Sequence, residues 1–181
     1  MADPVAVWHA EHVRFVSLLD FIEQQMARFH EGHDPDYELL RDVVYYLHNY
    51  ADRYHHPRED VAFERMIKRE PGLRFPINRL RKEHRVLDSA GRTLLKHLDD
   101  ILEDVVHERA VVEAAAATYV VYYRQHLAVE EAEILPRAAK TLGPGDWAAV
   151  ATAVPAVPDP LFGDDVEERY RELRRRLKPT R

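Results

Sequence analysis

The sequence predicts an all-α fold, an up-down-up-down four-helix bundle followed by extra C-terminal helices. Apolar residues recur at helical spacing through most of the chain, no stretch alternates as a β-strand does, and breaks rich in Gly and Pro separate the helical runs. With 181 residues and no cysteine, the chain is long enough to bury a core without disulfides. We expect residues 1–142 to form the bundle and residues 143–181 to form a C-terminal extension.

Breaks in the chain set the boundaries of the four predicted bundle helices. Helix one begins at Asp3-Pro4, because Asp is a good N-cap and Pro fits the first helical position. Residues 32–35 end it and contain a second Asp-Pro pair, which we interpret as the start of helix two. Pro71-Gly72 ends helix two. No Gly or Pro marks the end of helix three, which we place near Asp104, and residues 143–145 (Gly-Pro-Gly) end helix four.

The C-terminal extension is predicted to contain two further helices. Residues 147–154 are apolar and helical in pattern, residues 155–160 form a Pro-rich linker, and residues 165–177 read as a charged helix. The arginines of this last helix alternate with glutamates, which is typical of a solvated helix face. The sequence does not decide whether the extension caps the bundle or forms a homodimer contact.

Composition argues against several classes of function. The net charge is −6, from 26 basic and 32 acidic residues that are interleaved, which argues against a nucleic-acid partner. The most apolar run, residues 111–123, contains Glu113 and is too short to span a bilayer. The first residues do not resemble a signal peptide. We therefore expect a cytoplasmic protein without a membrane partner. Because the chain has no cysteine, any metal must be bound by nitrogen and oxygen donors.

One pattern of potential metal ligands occurs twice in the chain. A lone His is followed by a His with a Glu four residues later, and the second copy lies 71 or 72 positions after the first. Residues at i and i+4 share a helix face, and the midpoints between successive histidines fall at or next to the predicted turns. The four histidines can therefore lie in one layer of a bundle core. The six predicted ligands are His12, His55, Glu59, His84, His126 and Glu130.

Four His and two Glu in one layer suit a site for two metal ions. Two His for each ion, with two bridging carboxylates, leave open coordination positions for dioxygen, peroxide, nitric oxide or water. Such a donor set favours iron, with manganese or zinc as lesser candidates. A single inward His is usually a core residue with a local hydrogen bond, but that reading does not explain a whole layer containing two costly buried glutamates. The chain lacks the Glu-x-x-His pattern of ferritin-like di-iron bundles.

This arrangement resembles the hemerythrin-like proteins of the HHE cation-binding family. Their pattern of His, His-x-x-x-Glu, His, His-x-x-x-Glu over four helices is matched across about residues 4–142. Residues 54–60 (Tyr-His-His-Pro-Arg-Glu-Asp) are similar to the family's helix-two signature. The resemblance implies that the six residues bind two iron ions, which the two carboxylates bridge.

Two departures from the oxygen-carrying members bear on function. The carriers have a fifth His one turn before the helix-three ligand, where this chain has Leu80, with Trp8 as its counterpart in the first half. They also place Asp five residues after the helix-four His, whereas here Glu130 stands four residues on. We therefore expect a protein that binds or senses dioxygen, reactive oxygen species or iron. A small di-iron oxidoreductase acting on peroxide or ferrous iron, and a metal-free helical interaction module, are the alternatives; the sequence does not establish whether the protein is an enzyme.

The residues beside the predicted ligands allow more than one interpretation. His56 could replace His55, with Asp60 four residues later, but the repeat spacing favours His55 and leaves His56 at the surface or behind the ligands. Pro57 is expected to kink helix two and help aim His55. Four acidic residues could be outer donors, although we favour a solvated position for each: Glu11, Asp60, Glu83 and Glu131.

Three further polar residues lie near the predicted layer. His48 and Tyr119 each lie seven residues before a predicted ligand, so they could border a ligand pocket or make ordinary hydrogen bonds in the core. His9 is one turn from His12, and we expect it at the surface.

Overall fold

The structure is a computed structural model that describes residues 3–177, and no strand forms within that range. Four long helices follow one another along the chain. The first is Pro4–His30, the second runs over residues 37–69, the third is Arg74–Leu102 and the fourth runs over residues 109–141. The predicted all-α class is confirmed, and the connections at residues 31–36, 70–73 and 103–108 match the predicted turns.

The second and fourth long helices are composite, because a π-helical segment interrupts each of them. The second consists of Tyr37–Tyr46, the π-helical Leu47–His55 and His56–Arg69. The fourth consists of Arg109–Val129, the π-helical Glu130–Ile134 and Leu135–Thr141.

Each π-helical segment ends two residues before a proline. Pro57 and Pro136 occupy the first turn of the α-helix that follows. A proline has no N–H and its ring clashes with the carbonyl four residues earlier, so widening the preceding turn relieves that clash. The predicted distortion at Pro57 thus takes the form of a π-helix, and His55 is its last residue. The matching segment before Pro136 was not predicted from the sequence.

Aspartates determine three helix boundaries. The Asp3 carboxylate accepts a hydrogen bond from the Val5 N–H at 3.1 Å, as predicted for a cap. The second long helix is capped by Asp36 and not by the predicted Asp34-Pro35 pair, because the Asp36 carboxylate accepts from the Leu39 N–H at 3.1 Å. The third long helix ends at Leu102, close to the predicted boundary, and Asp104 follows with a left-handed φ of 62°.

A polar layer, formed by the six predicted metal ligands, lies between two apolar clusters of the core. The first and third long helices each pack against the second and the fourth. The larger cluster contains Phe15, Tyr50 and Tyr123, and the smaller one contains Trp8, Phe63 and Leu80. On every long helix the predicted ligands lie between residues of these two clusters. The layer is therefore shielded from water on both sides along the bundle axis.

The C-terminal extension packs against the bundle. Its first helix, Pro144–Ala153, lies on the His56–Arg69 helix, and the Trp147 ring contacts the Trp8 ring at a centroid distance of 5.3 Å. The Asp146 carboxylate accepts from the Gly143 N–H at 3.0 Å and so caps this helix. The helix begins three residues earlier than predicted, because Pro144 serves as its first residue.

Asp159 anchors the rest of the extension. Its carboxylate accepts hydrogen bonds from the N–H groups of Leu161 and Phe162, and also from the Tyr46 hydroxyl at 3.1 Å. Tyr170 and Leu173 then join the larger apolar cluster. The final helix is shorter than the predicted 165–177, because only a 3-10 turn, Glu168–Tyr170, and the α-helix Arg171–Arg176 form. The division of the chain at residue 142 stays a prediction.

None of the helices among residues 3–177 is both long enough and apolar enough to cross a membrane.

Candidate metal centre

The four predicted histidines lie together in the polar layer as two pairs. The first His pair is His12 and His55, whose Nε2 atoms are 2.9 Å apart. The second His pair is His84 and His126, whose ring centroids are 4.8 Å apart. All four side chains are buried, and the most exposed of them is His84 at 7%. The structure thus places in one layer the four histidines that the repeat spacing had grouped.

Glu59 lies between the two His pairs. Its Oε1 is 3.2 Å from His55 Nε2 and 3.4 Å from His12 Nε2. Its Oε2 is 3.6 Å from His84 Nε2. One carboxylate oxygen therefore faces each pair.

Glu130 makes the equivalent set of contacts from the opposite helix. Its Oε2 is 3.6 Å from His12 Nε2, while its Oε1 is 3.3 Å from His126 Nε2 and 3.6 Å from His84 Nε2. Both glutamates have no exposed surface. Two carboxylates placed in this way would be able to hold metal together with the histidines on either side.

Several polar atoms at the centre of the layer have no hydrogen-bond partner. Both oxygens of Glu59, both oxygens of Glu130, and the Nε2 atoms of His84 and His126 are buried and unpaired. Leaving such atoms without a partner costs free energy, and native proteins rarely do so without a reason. All of these atoms can donate a lone pair to a cation, so the donor set fits metal ions that accept nitrogen and oxygen ligands.

A ring of acidic residues holds the outward-facing nitrogens of the same four histidines. Each acidic residue on the first three long helices contacts the His of the next helix along the chain. The acidic residue on the fourth helix contacts the His of the first. The Nδ1 contacts are His55 with Glu11 at 2.6 Å, His84 with Asp60 at 3.2 Å, His126 with Glu83 at 3.2 Å, and His12 with Glu131 at 2.7 Å. A carboxylate on the second ring nitrogen is the usual companion of a metal-bound His.

The solvated positions favoured for these four residues in the sequence analysis were therefore wrong. Glu11 is buried, and the other three are only partly exposed because each bends over a neighbouring His. The sequence signal that made them candidates for outer donors is that each directly adjoins a predicted ligand: Glu11-His12, Glu59-Asp60, Glu83-His84 and Glu130-Glu131.

Comparison with known families agrees with this geometry. The family model described as the hemerythrin HHE cation-binding domain matches residues 3–138. The chain belongs to the hemerythrin HHE cation-binding family. Comparisons with curated proteins and with solved structures gave no match. The family resemblance inferred from the sequence is thus confirmed, and the buried His/Glu layer of this HHE domain is a cluster that could hold metal.

Glu11 is the most connected acidic residue of the HHE domain's outer ring. Besides His55 Nδ1, it accepts hydrogen bonds from the Tyr50 hydroxyl at 3.1 Å and from Arg58 Nη2 at 2.8 Å. Burial alone would raise the pKa of Glu11, but His55 and Arg58 lower it to about 2. Glu11 therefore stays ionised and fixes the orientation of the His55 ring.

The carboxylates at the centre control the charges of the His pairs. Burial opposes protonation of these rings, yet hydrogen bonds from the outer acidic residues and charge attraction from Glu59 and Glu130 raise the pKa of His12 and His84 to about 10. The same causes raise the pKa of His126 to about 9. Burial would favour protonation of Glu59 and Glu130, but the adjacent histidines lower the pKa of both carboxyl groups. Without metal, the protonated histidines therefore balance the two buried negative charges, and a metal ion would have to displace their protons.

His56 is neither at the surface nor a substitute for His55. It is 3% exposed, its ring lies 4.3 Å from that of His84, and burial together with the charge of His84 lowers its pKa to about 4. The alternative pairing of His56 with Asp60 does not form, because Asp60 contacts His84. Adjacent helix positions point about 100° apart, so His55 and His56 face different sides of the layer.

His48 and Tyr119 lie outside the layer. His48 Nδ1 is 3.0 Å from the Asp52 carboxylate, so it makes the ordinary hydrogen bond considered in the sequence analysis. Tyr119 packs on Gly91, where a Cβ would lie 3.2 Å from its ring. Tyr123 lies beside the layer, with its ring centroid 6.0 Å from that of His56.

Two grooves approach the layer from opposite sides. A groove of about 460 Å³ reaches His12, and its walls are mainly apolar, with Val13, Val16 and Leu127. His9 is exposed at this groove, as expected, and contacts Glu131 at 2.8 Å. A second groove of about 330 Å³ reaches His56 and His84, and charged residues including Asp52, Asp60 and Arg81 line it. The two His pairs are thus approached through different environments.

Proposed function

We propose that this HHE domain binds two iron ions in its polar layer and uses them to bind or sense dioxygen, reactive oxygen species such as peroxide, nitric oxide, or iron itself. The observation that carries the proposal is the placement of Glu59 and Glu130. Each is fully buried, has no hydrogen-bond partner for either oxygen, and turns one oxygen toward each His pair. A purely structural role would leave those four oxygens unexplained.

The proposed ligands divide evenly between the ions. The first His pair would hold one ion and the second His pair the other, while Glu59 and Glu130 would serve both. Bound iron would supply open coordination positions and a ferrous–ferric redox change, which are what small oxygen species and nitric oxide require. Manganese and zinc accept the same donors and are the lesser candidates.

The protein's own contribution is to orient donors and exclude water. The ring of acidic residues holds each Nδ1–H, so that each Nε2 faces inward. The apolar clusters on both sides of the layer keep the local dielectric low. The apolar groove that ends at His12 suits entry of uncharged ligands such as dioxygen and nitric oxide.

We also propose the up-down-up-down order for the four long helices. Short connections join successive helices, and residues that flank these connections at equal distances meet in one layer. A cytoplasmic location and a homodimer contact through the C-terminal extension stay predictions.

Metal analysis tests the central proposal. We expect about two iron ions per chain after expression in iron-supplied medium or anaerobic reconstitution with ferrous iron. The measurement is elemental analysis against protein concentration. If no ion binds under either condition, the proposal is wrong and the helical interaction module becomes the remaining function.

A second function, turnover of peroxide or oxidation of ferrous iron by dioxygen or peroxide, would use the same site. The groove at His56 and His84 favours it, because its three aspartates outnumber its two arginines, and a net negative charge attracts ferrous ions from solvent. We expect a binding protein to change its absorption spectrum on addition of peroxide without sustained consumption. An enzyme should consume peroxide catalytically, and His84→Ala should lose that activity. Peroxide consumption that is identical in the His84→Ala variant would remove the layer from any such reaction.

A further inference from the structure

His56 shares several features with the four histidines already assigned to the layer. It is buried at 3% exposure, and neither ring nitrogen has a hydrogen-bond partner. One donor atom from each of His56, Glu59, His84 and His126 can be chosen so that all four lie within 4.8 Å of one another. Buried nitrogens without a partner require an explanation that packing alone does not give, and a shared ion would be one.

The outward-facing nitrogen of His56 also has an acidic neighbour. His56 Nδ1 lies 3.0 Å from Asp52 Oδ1, at an angle that does not make a hydrogen bond. Asp52 is itself held by His48, whose Nδ1 is 3.0 Å from Asp52 Oδ2. A carboxylate at Nδ1 is the feature shared by His12, His55, His84 and His126.

The local helix geometry explains how one helix can serve both sides of the layer. His55 ends a π-helical segment and His56 begins the next α-helix. Glu59 lies four residues after His55 and three after His56, so it shares a face with both. His55 contacts Glu59 Oε1 on the side of the first His pair, and His56 lies against His84 on the side of the second.

The two halves of the chain differ at this position. The spacing that relates His55 to His126 relates His56 to Leu127, a buried residue that lines the apolar groove at His12. Among the described residues, the group at the first His pair contains no third histidine.

We propose that His56 is a fifth histidine ligand, which binds the metal ion on the side of the second His pair. The two ions then have unequal surroundings, with three histidines around one and two around the other. This inference rests on the proposed function, because it requires two ions in the layer.

The test uses the full chain loaded with Co²⁺, which takes the same nitrogen and oxygen donors as iron. Each ligating His with Nδ1–H near a carboxylate is expected to give one exchangeable, paramagnetically shifted ring N–H signal in the proton NMR spectrum. We expect five signals from the wild-type protein, for His12, His55, His56, His84 and His126. His56→Leu should lose one signal and shift those of the second His pair. His33→Leu, at an exposed turn residue, should leave all five unchanged.

Thermal unfolding of the metal-stripped variants separates a ligand from a structural residue. His56→Leu replaces a buried ring that has unpaired nitrogens with an apolar side chain of similar size, so its melting temperature without metal should not fall. A clear fall in melting temperature would indicate a structural role and overturn the proposal. If the wild-type protein binds two Co²⁺ but shows four ring N–H signals that persist in His56→Leu, this inference is wrong and the two-metal proposal stands. If the wild-type protein binds no Co²⁺, both this inference and the two-metal proposal are wrong.

Discussion

Replacing Glu59 with Gln is expected to abolish binding of both metal ions, whereas replacing a histidine should mainly affect one of them. The two Glu59 oxygens face different His pairs, so one substitution removes a ligand from each side. The amide has nearly the same size but no charge, and its NH₂ group would point at one of the ions. Loss of an outer partner of a ligand typically lowers metal affinity about 10–100-fold, so loss of this shared ligand should cost more than about 100-fold at both positions.

The measurement is a Co²⁺ or anaerobic Fe²⁺ titration of metal-stripped protein, followed by elemental analysis after desalting. Glu130→Gln should behave like Glu59→Gln, because its oxygens divide between the pairs in the same way. Glu64→Gln is the matched control, since Glu64 is exposed on the same helix as Glu59. His12→Ala should weaken the first position more than the second. Retention of one tightly bound ion by Glu59→Gln would show that the carboxylate serves a single ion.

The helices and the polar layer could be predicted because they depend on local signals. Apolar periodicity, an Asp cap and Pro-Gly breaks place the helices, and equal spacing around the turns brings His12, His55, His84 and His126 together. The break after helix three was the weakest signal, because Asp104 takes the left-handed conformation that Gly more commonly supplies.

The sequence allowed the four acidic residues of the outer ring to be outer donors but favoured a solvated position for each, because their contacts cross between helices. Whether Glu83 faces water or His126 depends on how far the third and fourth long helices are rotated toward each other. Helical periodicity gives the face of a residue only to within a turn, and a residue beside a ligand can be at the edge of the buried stripe. The sequence left His56 either at the surface or behind the ligands for the same reason, since a π-helical segment changes the rotation of the helix that follows it.

Metal binding is expected to raise the melting temperature by about 10–20 °C. An ion present at about 100 times its dissociation constant stabilises the folded state by about 2.7 kcal/mol, and two such ions by about 5 kcal/mol. In a protein of this size, each kcal/mol shifts the melting temperature by about 2–4 °C. The physical cause is local, because the ions would give the carboxylate oxygens of Glu59 and Glu130 the partners that they lack, while displacing protons from the adjacent histidines.

Thermal unfolding followed by circular dichroism, with EDTA or with excess Co²⁺, measures this effect. The increase should disappear in Glu59→Gln and Glu130→Gln and persist in Glu64→Gln, because only the first two residues face the His pairs. Mg²⁺ should give a much smaller increase, since it prefers oxygen ligands and retains its water molecules. An equal increase with Mg²⁺, or an increase that survives in Glu59→Gln, would place the stabilising ions elsewhere on the protein. An increase that is halved in His12→Ala would instead indicate that the two ions contribute separately, as the division of the ligands between two His pairs predicts.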